Sequence, residues 1–403
     1  MRILSISTLY PSDAQPNFGV FVERQMQAVA RRGDAELVVV NPIGLPPWPL
    51  SLHPRYRALA GLPTEELRGG VTVLRPRFRL LPGLGGRLNA GAVARAVLPL
   101  ARRLHVEQRF DLVDAQFFYP DGPAAARIAR ALGLPLSIKA RGADIHFWGH
   151  QSGTAKQVIA AGMQAAGMLA VADGMADDMA AIGLPRERIT IHRTGLDRAM
   201  FRPRDRSGSR AKYGLPSEGP VLACVGALIP RKGQAYVIDA MPLIPEAQLV
   251  LAGTGPDEAM LRARAARLGV EARVRFVGPV PHGDLPVLLS AADVMVMPSS
   301  SEGLANAWIE ALACGVPVVT TPIPGALELI TKPAFGRFAR RDGAEIASAV
   351  SALLARPPKQ ADVLRAVEAY SWEENAAQLV AYWQRLSALD ASSGQARLGS
   401  ACA

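Results

Sequence analysis

The chain has 403 residues, 49% of them hydrophobic and 20% charged, a globular profile with material for two domains and two cores. Its formal charge of +10 favours anionic partners: nucleic acid, acidic lipid or phosphorylated ligands. The arginines are spread along the chain without zinc-finger spacing, an RRM signature or aromatic–basic interleaving, which makes nucleic acid the weakest of the three, and no run of 18 apolar residues marks a membrane-spanning helix.

In chain order, "RILSIST" predicts a first buried strand. The segment has one basic residue and reaches a turn at Tyr10-Pro11, which does not fit a signal peptide. "VFVERQMQAVARRG" predicts a helix ending at Gly33, and "AELVVVNP" predicts the next strand. From Arg75 to Arg109 there are eight arginines and one acidic residue, Glu107. Val93, Val97, Leu100 and Leu104 fall on one stripe there, so a core-facing helix with a basic outer face is expected. That face is also a candidate for contact with anionic lipid. "DLVDAQ", "LPLSIKARG" and "MLAVAD" follow as short buried runs with helical stretches between them. Such alternation predicts a parallel sheet with right-handed crossovers.

"RPRDRSGSRAKYGLPSEGP" is rich in Arg, Ser, Gly and Pro and is read as linker plus the entry to a second domain. The pattern then restarts. "GPVLACVGAL", "AQLVLAGTG", "VRFVGPV", "VMVMPSSSEG" and "VPVVTT" predict strands, with "GQAYVIDAMPLI" and "DEAMLRARAARLG" as helices and "LPVLLSAAD" as a further apolar run. "SWEENAAQLVAYWQRLSALD" predicts a last helix with Glu373 in its first turn. The expected division is 1–204, 205–370, a helix 371–390 and a small, polar, flexible tail 391–403. Ligands of doubly wound sheets sit at the carboxyl ends of the strands, so two such units facing each other would form a cleft. The three cysteines, Cys224, Cys314 and Cys402, are odd in number and far apart. A disulfide framework is not expected, and a reducing cytoplasm is the default compartment.

The chemistry centres on "SEGLANAWIEALACGVPVV", which holds Glu302 and Glu310. Strand, polar loop and helix start form an anion site, with free N–H groups expected at Gly303, Leu304, Ala305 and Asn306. With a helix from about Leu304 to Cys314, eight residues rise ~12 Å and set Glu310 about two turns beyond Glu302. A ligand with phosphates on the helix start would offer hydroxyls to both carboxylates. Alone, the pair reads as a helix-terminal charge and a solvated helix residue. Arg231-Lys232 alone reads as a solvated turn, and Asp144 as an Asx turn or cap. "GTGP", with Gly253, lacks the lysine of a nucleoside-triphosphate loop and reads as a strand-end turn. His105, His146, His150, His192 and His282 show no metal-ligand spacing and are read as non-ligands. No Asp-x-Asp pair occurs, so a metal holding a diphosphate is not suggested. The tryptophans read as packing, with Trp148 the best candidate for a sugar platform.

Along nearly its whole length the chain resembles the retaining glycosyltransferases of family GT4, which have the GT-B fold of two Rossmann-like domains facing across a cleft. The Glu302–Glu310 segment resembles that family's E-x7-E motif, in the bacterial polysaccharide-type variant carrying Asn306. "STLYPSDAQPNFGVFVERQ", "FYPDG", "ARGADI", "ITIHRTGLDRAMFRP", "VGALIPRKGQ", "LAGTGP", "FVGPVPHGDL" and "SWEENAAQLVAYW" resemble its other loops and its last helix. The resemblance implies an acceptor-binding first domain, a donor-binding second domain and a last helix that crosses back to the first. It implies that Glu310 holds a nucleotide ribose, and that Glu302 and the following amides hold the donor sugar and pyrophosphate. Arg231 and Lys232 would meet the diphosphate, and Gly19, Gly253, Val277 and Pro279 would contribute further donor contacts. Asp121, Arg141 and Asp144 would face the acceptor, with Glu302, Lys232, Arg231 and Asp144 carrying the catalysis. No cofactor or metal is implied beyond a nucleoside diphosphate sugar as co-substrate. The implied partners are that donor, a lipid-linked or glycan acceptor and the anionic inner membrane surface, which the protein would meet from the cytoplasmic side. The chain departs from the family pattern at Arg141, where many members have His, and at Ala227, where many have Arg. Arg141 cannot act as a base. The alternatives are a GT-B sugar-nucleotide 2-epimerase and a catalytically silent partner protein. Nucleotide-sugar turnover discriminates among the three.

Overall fold

Apolar runs buried on both faces form two parallel sheets, each in its own unit. The structure is a computed structural model that describes residues 1–81 and 85–401, with side chains at 1–81 and 86–389. One unit comprises Met1–Gly195 with Trp372–Ala403, the other Leu196–Ser371. The division thus falls nine residues before the 204/205 boundary expected from composition.

The first unit contains β1 (Arg2–Ile6), β2 (Glu36–Val40), β3 (Ile43–Leu45), β4 (Glu65–Arg68), β5 (Val71–Leu74), β6 (Arg77–Arg79), β7 (Leu112–Ala115), β8 (Leu136–Ala140), β9 (Gly167–Ala170) and β10 (Ile189–Ile191). Eight of them form one sheet in the order β10-β9-β8-β7-β1-β2-β5-β4. Only β4 in that sheet is antiparallel to its neighbour. Chain direction across the sheet reverses beside β1, so the loops after β1 and β7 meet at the position where open α/β sheets bind ligands. The pair β3–β6 is a separate small sheet that short runs did not reveal in the sequence.

The helix Gly85–Glu107 buries Ala90, Val93, Ala94, Val97 and Ala101 and leaves Arg95, Arg102 and Arg103 exposed. Its stripe therefore follows the expected period, with Leu100 and Leu104 at its half-buried edge. Arg75 does not belong to that basic face. It is 1% exposed, 2.6 Å from Glu66 Oε1, and donates to the Pro11 carbonyl.

The last helix, Trp372–Ala401, packs within the first unit. Trp372, Leu379, Val380, Trp383 and Leu386 share a core with Val22, Met26 and Val29 of the helix Val20–Arg32. Each such side chain contributes roughly 1.5–3 kcal/mol by burial. Trp383 Nε1 also donates to Asp114 Oδ1 at 3.1 Å, satisfying a buried carboxylate. The helix continues past the 390/391 boundary expected from its polar composition, and residues 402–403, Cys402 among them, lie outside the described residues.

The second unit contains β11 (Val221–Val225), β12 (Gln248–Ala252), β13 (Val274–Gly278), β14 (Val294–Val296), β15 (Val318–Thr320) and β16 (Gly336–Phe338). They form a parallel sheet in the order β13-β12-β11-β14-β15-β16. The order reverses between β11 and β14, which brings the loops after those two strands together. The supposed linker is part of this unit. Asp205 caps a helix Arg206–Lys212 by accepting from Gly208 N at 2.6 Å, and Arg210 is buried 2.8 Å from Asp293. The apolar run "LPVLLSAAD" supplies the helix Leu285–Ser290. Among the described residues no helix is long and apolar enough to cross a membrane.

Candidate functional site

At the reversal point of the second sheet, the turn after β11 carries Arg231 and Lys232. Gly233 ends that turn with φ +78°, and a Cβ there would lie 2.4 Å from the Pro298 carbonyl oxygen. Only glycine lets the turn close onto the end of β14. The contact is secured by Ser300 N donating to the Arg231 carbonyl at 2.8 Å. As a result, Lys232 Nζ lies 2.7 Å and an Arg231 terminal nitrogen 2.8 Å from Glu302 Oε1. Arg231 also donates to the Ser301 carbonyl at 2.6 Å. The Glu302 side chain is 11% exposed. Burial pushes its carboxyl up, but the charges and hydrogen bonds of Lys232 and Arg231 outweigh burial and hold it below the usual carboxylate range. Two cations therefore share one carboxylate. An incoming phosphate would compete with Glu302 for both of them and free the carboxylate for a hydroxyl.

The helix that follows is shorter than expected. Ala305 is extended, with ψ 118°, and the helix spans Asn306–Ala313. Among the described residues, no carbonyl or side chain accepts from the N–H groups of Gly303, Leu304, Ala305 or Asn306. Four donors at a helix start leave room for an anion. The late start also corrects the spacing of the carboxylates. Glu310 is about one turn into the helix, a rise of ~6 Å, not two turns. Its Oε1 lies 2.9 Å from His282 Nε2.

His282, which has no metal-ligand spacing in the sequence, is brought by the fold against Glu310. Its ring meets Phe201 edge-on at 5.1 Å, and its Nδ1 is buried without a hydrogen-bond partner among the described residues. Its signal in the sequence is its place at the carboxyl end of β13, in the segment that also holds Val277 and Pro279. Val277 lies inside β13 and Pro279 just after it. Gly253 N donates to the Gly278 carbonyl at 2.8 Å, which joins the turns after β12 and β13. The second-unit residues expected to hold a donor thus stand at carboxyl ends of this sheet or in the loops that leave them, except Asn306 and Glu310, which lie in the helix Asn306–Ala313.

In the first unit, Gly19 precedes the helix Val20–Arg32 with φ +80°. A Cβ there would lie 2.5 Å from the Leu9 backbone, so glycine is required for the β1 loop to fold back on itself. Asp144 and Asp121, expected to face an acceptor, are both 0% exposed, and their hydrogen bonds run to backbone N–H groups of the protein. Asp144 accepts from the N–H groups of Gly142 at 2.7 Å, Phe118 at 2.9 Å and Arg141 at 3.1 Å. It ties together the loops after β7 and β8. Arg141 donates through Nε to the Gln116 carbonyl at 2.8 Å and through a terminal nitrogen to Gln25 Oε1 at 2.9 Å and to the Gln116 side chain. Its guanidinium lies over the Phe21 ring. These groups hold the loops in place, and that architectural need explains their charge and spacing.

Asp121 accepts from Thr8 N at 2.9 Å, and its other oxygen is buried without a partner among the described residues. Burial pushes its carboxyl up to about 7. Between the usual carboxylate range and that value, the folded protein keeps a proton that the unfolded chain has lost. Stability is therefore expected to fall as pH rises through this window, by up to about 1.4 kcal/mol per pH unit. Urea unfolding of Asp121→Asn from pH 4 to 7 should show a flattened decline. A slope equal to that of the wild type would detach Asp121 from the effect.

Cys224 and Cys314 are free and buried, with burial pushing both thiols up to about 12, so neither is an available nucleophile. Among the described residues, no group of three His, Cys, Asp or Glu side chains is placed to hold a metal ion.

Comparison with known proteins bears on this arrangement. Residues 18–195 match the family model described as a glycosyl transferase 4-like domain, and residues 205–368 that of glycosyl transferases group 1. The putative teichuronic acid biosynthesis glycosyltransferase TuaC of Bacillus subtilis is 30% identical over 339 residues, covering 82% of this chain and 84% of that protein. Among solved structures, sucrose-phosphate synthase from Thermosynechococcus elongatus is similar with a TM-score of 0.80 at 20% identity, covering 96% of this chain and all of that one. Anabaena HepE in complex with UDP and glucose is similar with a TM-score of 0.72 at 20% identity, covering 95% and 99%. Two Rossmann-like parallel sheets, the matching family models and a relative aligned over most of both chains lead to one assignment: the chain belongs to the group 1, GT4-type glycosyltransferases and has the GT-B fold.

Proposed function

We propose that the protein is a retaining glycosyltransferase that moves a sugar from a nucleoside diphosphate sugar to a hydroxyl of a lipid-linked or polysaccharide precursor at the inner membrane face. The observation that carries the reading is the Lys232–Glu302–Arg231 cluster beside four open backbone donors at a helix start, with Glu310 one turn further in. The cations suit a diphosphate, the open N–H groups suit its oxygens, and the two carboxylates suit hydroxyls. Support for the donor class comes from HepE, solved with UDP and glucose. Support for the acceptor class comes from TuaC, whose name places it in teichuronic acid biosynthesis.

In the proposed reaction the bond between the anomeric carbon and the phosphate oxygen breaks, and its electron pair stays on the departing diphosphate. The acceptor oxygen bonds to the same face of that carbon. The acceptor proton passes to the departing phosphate oxygen, so no enzyme nucleophile is needed. Lys232 and Arg231 stabilise charge that grows on the leaving group. Because these cations can meet the diphosphate, the reaction is proposed to run without a metal.

The test begins with thermal shifts against UDP, GDP and ADP and their sugars, since a ligand of the native state raises the melting temperature with its occupancy. The stabilising donor is then followed by NMR, with and without excess EDTA. Transfer or slow hydrolysis with retained anomeric configuration, unchanged by EDTA, is the expected result. Inversion, conversion to an epimeric sugar nucleotide, binding without turnover, or a strict requirement for Mg²⁺ or Mn²⁺ would each overturn the corresponding part of the proposal.

A further inference from the structure

Between β2 and β7, apart from β4 and β5 of the main sheet, the chain of the first unit builds a small separate layer. In it β3 and β6 pair in parallel, and the helix Pro54–Ala60 closes over them through a small core of Ile43, Leu59 and Leu62. The turn between β3 and that helix turns its large apolar side chains outward. Trp48 is 77% exposed, Leu50 51% and Leu52 52%. A single exposed leucine needs no explanation, but three large apolar side chains within five residues form a patch.

The charges carried by the stretch that holds the patch have one sign. No Asp or Glu occurs between Glu36 and Glu65. Arg55 and Arg57 are exposed on the adjoining helix, and Arg57 donates to the Leu52 carbonyl at 3.4 Å. Arg79, also exposed, stands opposite Leu45 in the β3–β6 register, at the strand end from which the turn departs. Of the carboxylates beyond this segment, Asp13 faces Arg68 and Glu66 faces Arg75. An apolar tip with an indole, flanked by exposed arginines on the adjoining helix and strand, is the chemistry of a segment that inserts at the boundary of headgroups and acyl chains. Arginine stems can lie along apolar surface while their heads meet phosphate.

We propose that the Trp48–Leu52 turn, with Arg55, Arg57 and Arg79, docks the protein on an anionic lipid bilayer. A second copy of this chain suits the patch less well, because a symmetric contact would set its arginines against their equivalents. The helix Gly85–Glu107 is the weaker anchor, since its Arg103 is paired with Glu107 at 3.7 Å. The inference rests on the membrane-facing part of the proposed function, but its test does not use sugar transfer, so the two can fail separately.

The full chain is sedimented with phosphatidylcholine vesicles, with and without phosphatidylglycerol, and its tryptophan fluorescence is read with brominated lipid. Binding is expected only with phosphatidylglycerol, together with quenching. The variant Trp48→Ser, Leu50→Ser, Leu52→Ser removes only exposed side chains. It is expected to keep the wild-type melting temperature and to partition at least about tenfold more weakly. Trp48→Phe should still bind and lose most of the quenching, because Trp308, Trp372 and Trp383 are buried and Trp148 is half-buried. Undiminished binding of the triple variant overturns the proposal. So does equal wild-type binding to both vesicles, or to neither, and so does quenching that persists in Trp48→Phe. Light scattering that finds a dimer lost in the triple variant, with lipid partition unaltered, would assign the patch to a second copy instead.

Discussion

Lys232→Ala is expected to lower turnover at saturating donor by roughly a hundredfold or more. The lysine stands at the end of a short turn after β11, with Nζ 2.7 Å from Glu302 and its side chain 14% exposed. In such a place a charge is little screened by water. Its interaction with the leaving group strengthens as the sugar–phosphate bond breaks, and only interactions stronger in the transition state than in the ground state raise turnover. By analogy with removal of one oxyanion donor, the loss corresponds to ~2.7–4 kcal/mol. Lys232→Arg should restore part of the rate, because the planar fork directs its donors differently.

The ion pair with Glu302 supplies a second reading, in which Lys232 only holds that carboxylate in place. The two separate by kinetics and by a further variant. A merely structural lysine would, when removed, raise KM for the donor and lower thermal stability, with turnover near normal. A leaving-group lysine lowers kcat in a protein that circular dichroism shows to be folded. Glu302→Ala gives the converse control. It removes the carboxylate that competes for Lys232 and Arg231, so the free nucleoside diphosphate should bind at least as well as to the wild type while the sugar conjugate binds or reacts less well. A kcat loss below about threefold in Lys232→Ala would leave the leaving-group role without support.

Much of this architecture is readable from the chain. Strands such as β9, β11 and β14 are buried at every residue, and burial on both faces forces a nearly unbroken apolar run. Gly33 and Gly315 mark helix ends for the same local reason, a left-handed residue after the last turn. What escapes the sequence is of two kinds. Some elements are too short for a period to register, as with β3, β6 and β16 of three residues each. Others depend on long-range partners. Composition suggests a linker around Arg206–Lys212, although Asp205 three residues before Gly208 is a cap signal, and Arg210 becomes a buried residue only through Asp293. Asp144 has the residue type and motif of an acceptor ligand, yet its oxygens are taken by the N–H groups of its own and a neighbouring loop. The late helix start has no cue, because Ala305 has no side-chain oxygen with which to cap it. The His282–Glu310 contact joins residues 28 apart through the folding of a sheet.

That last contact shapes the expected behaviour of Glu310→Ala. If Glu310 binds a ribose, its carboxylate accepts from hydroxyls, and hydrogen bonds to a charged group are worth ~1.5–3 kcal/mol. Calorimetry should therefore show the free nucleoside diphosphate and its sugar conjugate both weakened, by roughly ten- to a hundredfold. The equal effect on both ligands is the distinguishing feature, since a contact to the sugar would weaken only the conjugate. His282 supplies an independent arm. Its Nε2 holds Glu310 Oε1 at 2.9 Å, while its ring is fixed against Phe201. His282→Phe keeps an aromatic ring beside Phe201 and removes the hydrogen bond, so the carboxylate is less well oriented but still present. The same two ligands should weaken together, but only several-fold, near the ~1 kcal/mol net value of one hydrogen bond. In the double variant the loss should equal that of Glu310→Ala alone, because histidine acts only through the carboxylate. Additive losses would give His282 its own ligand contact. Unaltered nucleotide affinity in a folded Glu310→Ala protein would remove the ribose assignment and leave the pair as a structural tie between the β13 loop and the helix Asn306–Ala313.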